Sequence, residues 1–120
     1  MKIIGIIPVR LAATRFPNKP LAQIYGMPMI GHVYHRAMMC EKLVDIYVAT
    51  CDEKIFNYIK SIGGKPIMTK STHERASDRT AEAFKKIIDT EGDIYGGVLM
   101  IQGDEPLLNP MLLDKMISFH

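Results

Sequence analysis

Three cations lie on a short segment that follows the first apolar run of the chain. The run covers residues 3–9, and the cations are Arg10, Arg15 and Lys19. No Asp or Glu precedes Glu41, so this part of the chain carries uncompensated positive charge. A loop that combines fixed positive charge with free backbone N–H groups at the carboxyl end of a strand is suited to holding phosphates. We therefore predict that this segment binds the phosphates of a nucleoside triphosphate.

A second set of polar residues follows the last apolar run, residues 98–101. The string Gln102-Gly103-Asp104-Glu105-Pro106 comes directly after it. Mg²⁺ prefers oxygen ligands and is usually held by one or two carboxylates together with phosphate oxygens. Asp104 is therefore a candidate ligand for Mg²⁺. A turn with a helix-capping acid is the alternative, but it would explain one Asp and not the whole string.

Composition and length restrict the class of protein. At 120 residues the chain fits one domain, and its 48% hydrophobic and 23% charged residues are ordinary for a globular protein. No apolar run approaches the ~20 residues that span a membrane, and the first run is too short for a secretory signal. Cys40 and Cys51 have no paired spacing, which indicates a reducing cytoplasm.

The charge is distributed unevenly along the chain. Residues 1–40 contain five Lys or Arg and no acid, whereas residues 41–120 contain ten basic and thirteen acidic residues. The net charge of +2 is too small to indicate binding to nucleic acid. The basic first third suits a small anionic ligand held locally, and chance asymmetry is the alternative explanation.

Apolar runs with strand character recur along the sequence and are separated by amphipathic stretches. Strands are predicted over residues 2–9, 44–50, 65–69 and 96–102. Their alternation with helices implies right-handed crossovers and a parallel sheet that helices cover on both faces. The predicted fold is a three-layer α/β/α arrangement with a mostly parallel, Rossmann-like sheet. Ligands of such sheets bind outside the carboxyl ends of the strands, which points to residues 10–19, 50–52, 69–79 and 102–106.

The boundaries of the helices are predicted from their end signals. The first helix is predicted to open at Met27-Pro28, with Pro28 at its first position. Asp52 and Ser77 are predicted to cap the next two helices, which end at Gly63-Gly64 and near Asp89. Apolar residues at helical spacing predict the buried face of the first helix, which consists of Ile30, Val33, Tyr34 and Ala37.

The basic segment carries a family signature. Residues 14–20, Thr-Arg-Phe-Pro-Asn-Lys-Pro, resemble the Thr-Arg-Leu-Pro-x-Lys-Pro signature of sugar nucleotidyltransferases. With Arg10 at its start in place of a glycine-rich turn, the segment is similar to the cytidylyltransferases that activate 3-deoxy-manno-octulosonate (Kdo). It departs from their pattern at Val9, Ala13 and Asn18, where that family usually has Ala, Ser and Gly.

Two further segments carry the same resemblance. The string from Gln102 to Pro106 matches a hallmark of the Kdo cytidylyltransferases. Residues 68–79 resemble their Met-Thr-x-x-x-His-x-Ser-Gly-Thr-Glu-Arg pattern, in which the segment surrounds cytosine and ribose. The departures fall at Arg75-Ala76, which replace Ser-Gly, and at Ser77-Asp78, which replace Thr-Glu. The positions that match are Met68, Thr69, His73 and Arg79.

The resemblance implies a fold of the nucleotide-diphospho-sugar transferase type and a role for individual residues. Because the sequence stops inside a last helix, which is predicted to open at Asn109-Pro110, residues 1–120 are expected to be the truncated, N-terminal, nucleotide-binding part of a longer cytidylyltransferase domain. Arg10, Lys19 and Asp104 would act in catalysis, and Asp104 would bind Mg²⁺. The residues implied to bind the nucleotide are Arg10, Thr14, Arg15, Lys19, Thr69, His73, Ser77, Arg79 and Gln102.

The implied reaction joins CTP and Kdo to give a CMP-sugar and pyrophosphate, for the synthesis of lipopolysaccharide or surface polysaccharide. The partners would be CTP and the acidic sugar, with Mg²⁺ as cofactor and a homodimer in the full-length form. Neither nucleic acid nor membrane insertion is expected. Enzymes of this family are longer, and their second half supplies another metal-binding carboxylate, most of the sugar pocket and much of the dimer surface. These 120 residues alone would then bind nucleotide and transfer little CMP.

Two alternatives remain open from the sequence. The substrate would be another acidic sugar, such as amino-Kdo or a sialic-acid-like compound, if the change at Arg75-Ala76 alters specificity. In a different class, the chain would be a truncated, non-catalytic nucleotide-binding module. Replacement of Asp104 separates the enzyme from the module, because only an enzyme would lose transfer.

Overall fold

Parallel strands and connecting helices alternate in the computed structural model, which describes residues 2–11, 19–73 and 75–102 and, of Lys19, the backbone only. In chain order the elements are β1 (Ile3–Pro8), a 3-10 helix (Lys19–Leu21), β2 (Gln23–Ile24), β3 (Met27–Pro28), α1 (Met29–Met38), β4 (Leu43–Thr50), α2 (Glu53–Ser61), β5 (Pro66–Met68), α3 (Ala76–Glu91) and β6 (Gly97–Met100). The four predicted strands are therefore confirmed. The helix predicted to open at Asn109-Pro110 lies outside the described residues.

The central sheet has the strand order β5-β4-β1-β6, and every neighbouring pair is parallel. From β1 the chain builds the sheet in one direction, through β4 to β5, and then crosses back to add β6 on the other side of β1. The strand order thus reverses between β1 and β6, and ligands of open α/β sheets bind in the crevice at such a point. The two strands meet closely there, because the Ile101 N–H donates to the Ile6 carbonyl at 2.9 Å.

Helices cover both faces of the sheet, which confirms the predicted three layers. All six residues of β1 are buried, and successive side chains of a strand point to opposite faces. Ile3 and Ile7 belong to the core with α1 and α2, whereas Ile4 and Ile6 belong to the core with α3. This two-sided burial explains why β1 is apolar throughout instead of alternating. The predicted face of α1 is buried at Ile30, Val33, Tyr34 and Ala37.

The predicted start of α1 is wrong by one residue, because Met27-Pro28 forms a strand instead. These residues pair antiparallel with Gln23-Ile24, and the connecting residues Tyr25 and Gly26 have φ values of 51° and 80°. Two consecutive positive φ values are typical of a type I′ hairpin turn. Pro28 then occupies the N-cap position with an extended ψ of 144°, one residue before the position predicted for it.

Both predicted helix-capping side chains are wrong, whereas the predicted stop is correct. Asp52 is at the N-cap position of α2 but makes no capping hydrogen bond, since its carboxylate binds elsewhere. Helix α3 begins at Ala76 after Arg75, which places Ser77 inside the first turn. Helix α2 ends at Ser61, and Gly63, which follows the C-cap residue Ile62, has a φ of +81° and forms the expected left-handed terminus. Among the described helices, none has both the length and the apolar character needed to cross a membrane.

Candidate functional site

The predicted site residues fall into two groups according to what the structure describes. Thr14, Arg15 and Asp104 lie outside the described residues, as does the side chain of Lys19. Described in full are Arg10, Thr69, His73, Ser77, Arg79 and Gln102. Each of these six follows the carboxyl end of a strand or lies in the first turn of α3, so all six belong to the carboxyl edge of the sheet.

Arg10 joins the first predicted segment to the third. It follows Val9, whose N–H donates to the Ala49 carbonyl at 3.0 Å and so extends β1 along β4. The Arg10 guanidinium then donates from Nη1 to the His73 carbonyl at 3.1 Å. Residues separated by 63 positions are thereby held together at one edge. This contact confirms the prediction that residues 10–19 and 69–79 start from the same edge of the sheet.

Asp52 fastens the start of the basic segment to the end of β4. Its Oδ2 accepts a hydrogen bond from the Leu11 N–H at 2.7 Å, and its own N–H donates to Thr50 Oγ1 at 3.1 Å. A carboxylate that accepts from a backbone N–H forms a stronger bond than a neutral acceptor would. The side chain that the sequence assigned to helix capping therefore positions the backbone next to Arg10.

Arg79 organises the chain that follows β5 from inside the protein. Only 3% of the residue is exposed, and its Nε donates to Thr69 Oγ1 at 3.0 Å. Its Nη2 donates to the Lys70 carbonyl at 3.3 Å and lies 3.7 Å from Cys51 Sγ. Among the described residues Arg79 forms no ion pair, so neutral groups satisfy a buried guanidinium. Arg79 thus links the ends of β4 and β5.

Glu82 is a site-supporting residue that sequence reasoning missed. Its Oε1 accepts from the Lys70 N–H at 3.0 Å and lies 2.6 Å from His73 Nε2, while its Oε2 lies 2.9 Å from Lys86 Nζ. Burial raises the pKa of Glu82, but the hydrogen bonds from Lys70, Lys86 and His73 outweigh burial and lower the pKa to about 2. Glu82 is therefore ionised at neutral pH, and His73 Nε2 must carry the proton that they share.

Ser77 and Gln102 are both exposed at this edge. Ser77 lies in the first turn of α3, next to Asp78. Gln102 follows Ile101, which is buried and bonded to β1. Their polar groups are open to a ligand, whereas Thr69 is only 5% exposed and is bonded to Arg79.

The described part of the chain contains no group of three His, Cys, Asp or Glu side chains placed to hold a metal ion. Asp104, which follows β6 in the sequence, stays the predicted ligand for a divalent metal, together with oxygen atoms of a ligand and water. Mg²⁺ accepts this kind of donor set, with one or two carboxylates and the remaining ligands from phosphate and water. The donor chemistry of Asp104 fits, whereas Asp52 Oδ2 already accepts a hydrogen bond from the Leu11 N–H.

Curated relatives match almost the whole chain. A 3-deoxy-manno-octulosonate cytidylyltransferase of Geobacter metallireducens is 43% identical over 98% of this chain and 44% of its own length. An 8-amino-3,8-dideoxy-manno-octulosonate cytidylyltransferase of Shewanella pealeana is 42% identical over 98% of this chain and 47% of its own length. The chain therefore spans a little under half the length of the curated relatives it matches.

Solved structures support the same relationship. A CMP:2-keto-3-deoxy-manno-octonic acid synthetase in complex with CTP superposes with a TM-score of 0.89, at 37% identity, over 99% of this chain and 47% of the other. A more distant protein from Mycobacterium tuberculosis, Rv0371c in complex with manganese, shares the fold with a TM-score of 0.68 at 12% identity, over 98% of this chain and 59% of the other.

The family itself is shown by the match to a family model. Residues 4–120 match the model described as cytidylyltransferase, which covers the described carboxyl edge and the segments that hold Arg15, Lys19 and Asp104. The sequence signatures, the parallel sheet and the solved CTP complex agree with that match. The chain belongs to the cytidylyltransferase family.

Proposed function

We propose that this chain binds CTP at the carboxyl edge of its sheet and contributes that site to an enzyme that makes CMP-Kdo. The observation that carries the proposal is the contact between Arg10 and the His73 carbonyl, which brings the basic segment and the proposed base-binding segment to one edge. The similarity to a synthetase solved with CTP supports the choice of nucleotide. The crevice between β1 and β6 is where such sheets hold their ligands.

The proposed reaction requires no covalent intermediate with the protein. The anomeric hydroxyl of the sugar would attack the α-phosphate in line, and pyrophosphate would leave. Transfer of this type depends mainly on positioning and on neutralising charge. Arg10, Arg15 and Lys19 would neutralise the triphosphate and the departing pyrophosphate. Mg²⁺, when bound, would stabilise the developing charge, and Asp104 is the residue that would hold it.

The other predicted nucleotide contacts stay part of the proposal. Ser77 and Gln102 are exposed and would reach the nucleoside directly. Thr69 and Arg79 are buried and bonded to each other, which favours a role in shaping the pocket. His73 would lie beside the cytosine base, and its ring would be held in place by Glu82. Cys40 and Cys51 are not joined by a disulfide, and a cytoplasmic location stays a prediction.

The acceptor sugar is proposed to be Kdo, with 8-amino-Kdo as the second candidate. The second candidate is favoured by a relative named for the amino sugar, whose 42% identity is close to the 43% of the relative named for Kdo. Arg75 and Ala76, at the start of α3, replace the usual Ser-Gly. Arg75 is exposed and would add positive charge near an acidic sugar. A homodimer of the full-length form stays a prediction.

The proposal is tested by measuring nucleotide binding and pyrophosphate release side by side. We expect calorimetry to show that the 120-residue chain binds CTP with Mg²⁺ and binds UTP, ATP and GTP at least about tenfold more weakly, a difference of about 1.4 kcal/mol. Pyrophosphate release from CTP with Kdo is expected to be slow, because the second half of the relatives is not covered. Equal affinity for all four nucleotides would contradict the proposal, and rapid turnover would contradict the need for that second half.

A further inference from the structure

We propose that Glu82 is a positioning residue of the CTP site, which holds residues 70–73 so that the His73 carbonyl meets Arg10. The inference rests on the proposed function and assigns a task to a residue outside the predicted site. Glu82 lies on the second turn of α3, and only 16% of its side chain is exposed. It therefore acts from beneath the carboxyl edge and would not touch the nucleotide.

A single carboxylate oxygen of Glu82 closes the turn that follows β5. Oε1 accepts from the backbone N–H of Lys70 at 3.0 Å and from the His73 ring at 2.6 Å. Ser71 and Thr72, between these two residues, are exposed. Because both ends of the turn are bonded to the same atom, the path of the backbone from Lys70 to His73 is restricted.

The peptide groups of Lys70 are held from two directions by α3. Glu82 accepts from the Lys70 N–H, and Arg79, three residues earlier on the same helix, donates to the Lys70 carbonyl at 3.3 Å. Residues three apart on a helix lie on the same face. Helix α3 thus presents an acceptor and a donor together to the segment, and fixes where it leaves the sheet.

The restraint passes from Glu82 to Arg10 through His73. The ring of His73 is bonded to Glu82, and its carbonyl accepts from Arg10 Nη1 at 3.1 Å. The first cation after β1 therefore depends for one contact on a backbone carbonyl that Glu82 keeps in place. Lost positioning of this kind lowers ligand affinity, because the ligand must then order the groups that bind it.

The position of Glu82 and its charge are separable by substitution. Lys86 pairs with Oε2 at 2.9 Å, on the other oxygen from the turn. Glu82→Gln keeps an acceptor at the place of Oε1 and loses the charge. Glu82→Asp keeps the charge and shortens the side chain by one methylene, so that it no longer reaches both Lys70 and His73. Glu82→Ala removes both.

The test measures CTP affinity, thermal unfolding and the hydrogen exchange of the Lys70 amide for these three variants and the wild type. Glu82→Ala and Glu82→Asp are expected to bind CTP about tenfold more weakly, the size of effect that loss of a hydrogen bond to a charged group produces, and to exchange the Lys70 amide faster. Glu82→Gln is expected to lose thermal stability, because it loses the Lys86 pair, and to retain CTP affinity and Lys70 protection.

The matched control for Glu82→Ala is Glu91→Ala at the far end of the same helix. Glu91 accepts from Tyr47 at 2.8 Å and from Tyr95 at 3.0 Å, so its replacement destabilises α3 without touching the turn. Its CTP affinity is expected to match the wild type. If the Glu91 variant loses as much CTP affinity as Glu82→Ala, the loss is explained by lower stability of α3 and not by positioning of the turn. That result would overturn the inference.

Two other results would overturn it. If Glu82→Asp binds CTP normally while Glu82→Gln does not, the charge of Glu82 matters and its position does not. If Glu82→Ala binds CTP as the wild type does, the positioning role is wrong even though the proposed function stands. A wild-type chain that binds no CTP would instead refute the proposed function, and this inference would fall with it.

Discussion

Replacement of Asp104 by Asn is expected to abolish CMP transfer by the full-length form and the effect of Mg²⁺ on CTP binding. The substitution keeps the size of the side chain and removes the charge that would hold the metal at the carboxyl end of β6. A catalytic metal contributes several kcal/mol of transition-state stabilisation, so transfer is expected to fall about a thousandfold, each tenfold step corresponding to about 1.36 kcal/mol. Affinity for CTP is measured by calorimetry with Mg²⁺ and with EDTA. The two values, different in the wild type, should become equal in the variant.

The control for this prediction is Asp89→Asn. Asp89 is exposed near the end of α3, and its replacement makes the same change in charge away from the carboxyl edge. It is expected to leave both the transfer rate and the Mg²⁺ effect unchanged. An Asp104 variant that still responds to Mg²⁺ as the wild type does would show that the metal, if one is used, is held elsewhere.

Replacement of Arg10 by Gln is expected to cause the largest loss of CTP affinity among the described residues. The guanidinium is placed after β1 at the reversal of strand order, and its loss also leaves the His73 carbonyl without that donor. Truncating one partner of a hydrogen-bonded charge pair costs about 2–5 kcal/mol, which corresponds to a loss of about thirtyfold or more. Titrations at low and high salt test the cause, because the difference from wild type should shrink as salt screens the charge.

Lys85→Gln is the matched control for Arg10→Gln. Lys85 is exposed on α3 and its replacement lowers the net charge by the same amount. Arg10→Lys adds a second comparison, since it keeps the charge but not the planar group that donates to His73, and its affinity should be intermediate. An Arg10→Gln chain with wild-type affinity, or a Lys85→Gln chain with an equal loss, would show that Arg10 makes no specific contact with the nucleotide.

The parallel sheet was predictable because apolar runs with strand character alternate with amphipathic stretches along the sequence. In β1 helices bury both faces, so Ile3, Ile4, Ile6 and Ile7 form one apolar run without alternation. Gly63-Gly64 also predicts the end of α2, because glycine readily adopts the left-handed conformation that terminates a helix. The hairpin before α1 was missed because Met27-Pro28 carries a strong helix-start signal. The two positive φ values at Tyr25 and Gly26 depend on a tyrosine in a conformation that tyrosine rarely adopts.

The site was predictable only where chemistry is local. Arg10 and the strand-end segments follow from charge and topology, and their meeting is confirmed by the contact with His73. Asp52 was assigned to the helix that follows it, because capping is a local rule, but the Leu11 N–H from a neighbouring strand end competes for its carboxylate. Glu82 gave no signal, since an acid inside a helix normally indicates a solvent-facing position. Its partners, Lys70 and His73, lie 12 and 9 residues away and become neighbours only after folding.

The central claim is that CTP binds at the carboxyl edge of the sheet, and residue-level NMR tests it most directly. CTP with Mg²⁺ is titrated into the isotopically labelled chain while the backbone amide signals are followed. We expect the largest saturable shifts after the strands, at Leu11, Asp52, Lys70 and Gln102, and little change at Lys2, Leu43 and Gly97 at the amino ends. Saturable shifts centred on the amino ends, or no saturable shifts from CTP, would contradict the claim.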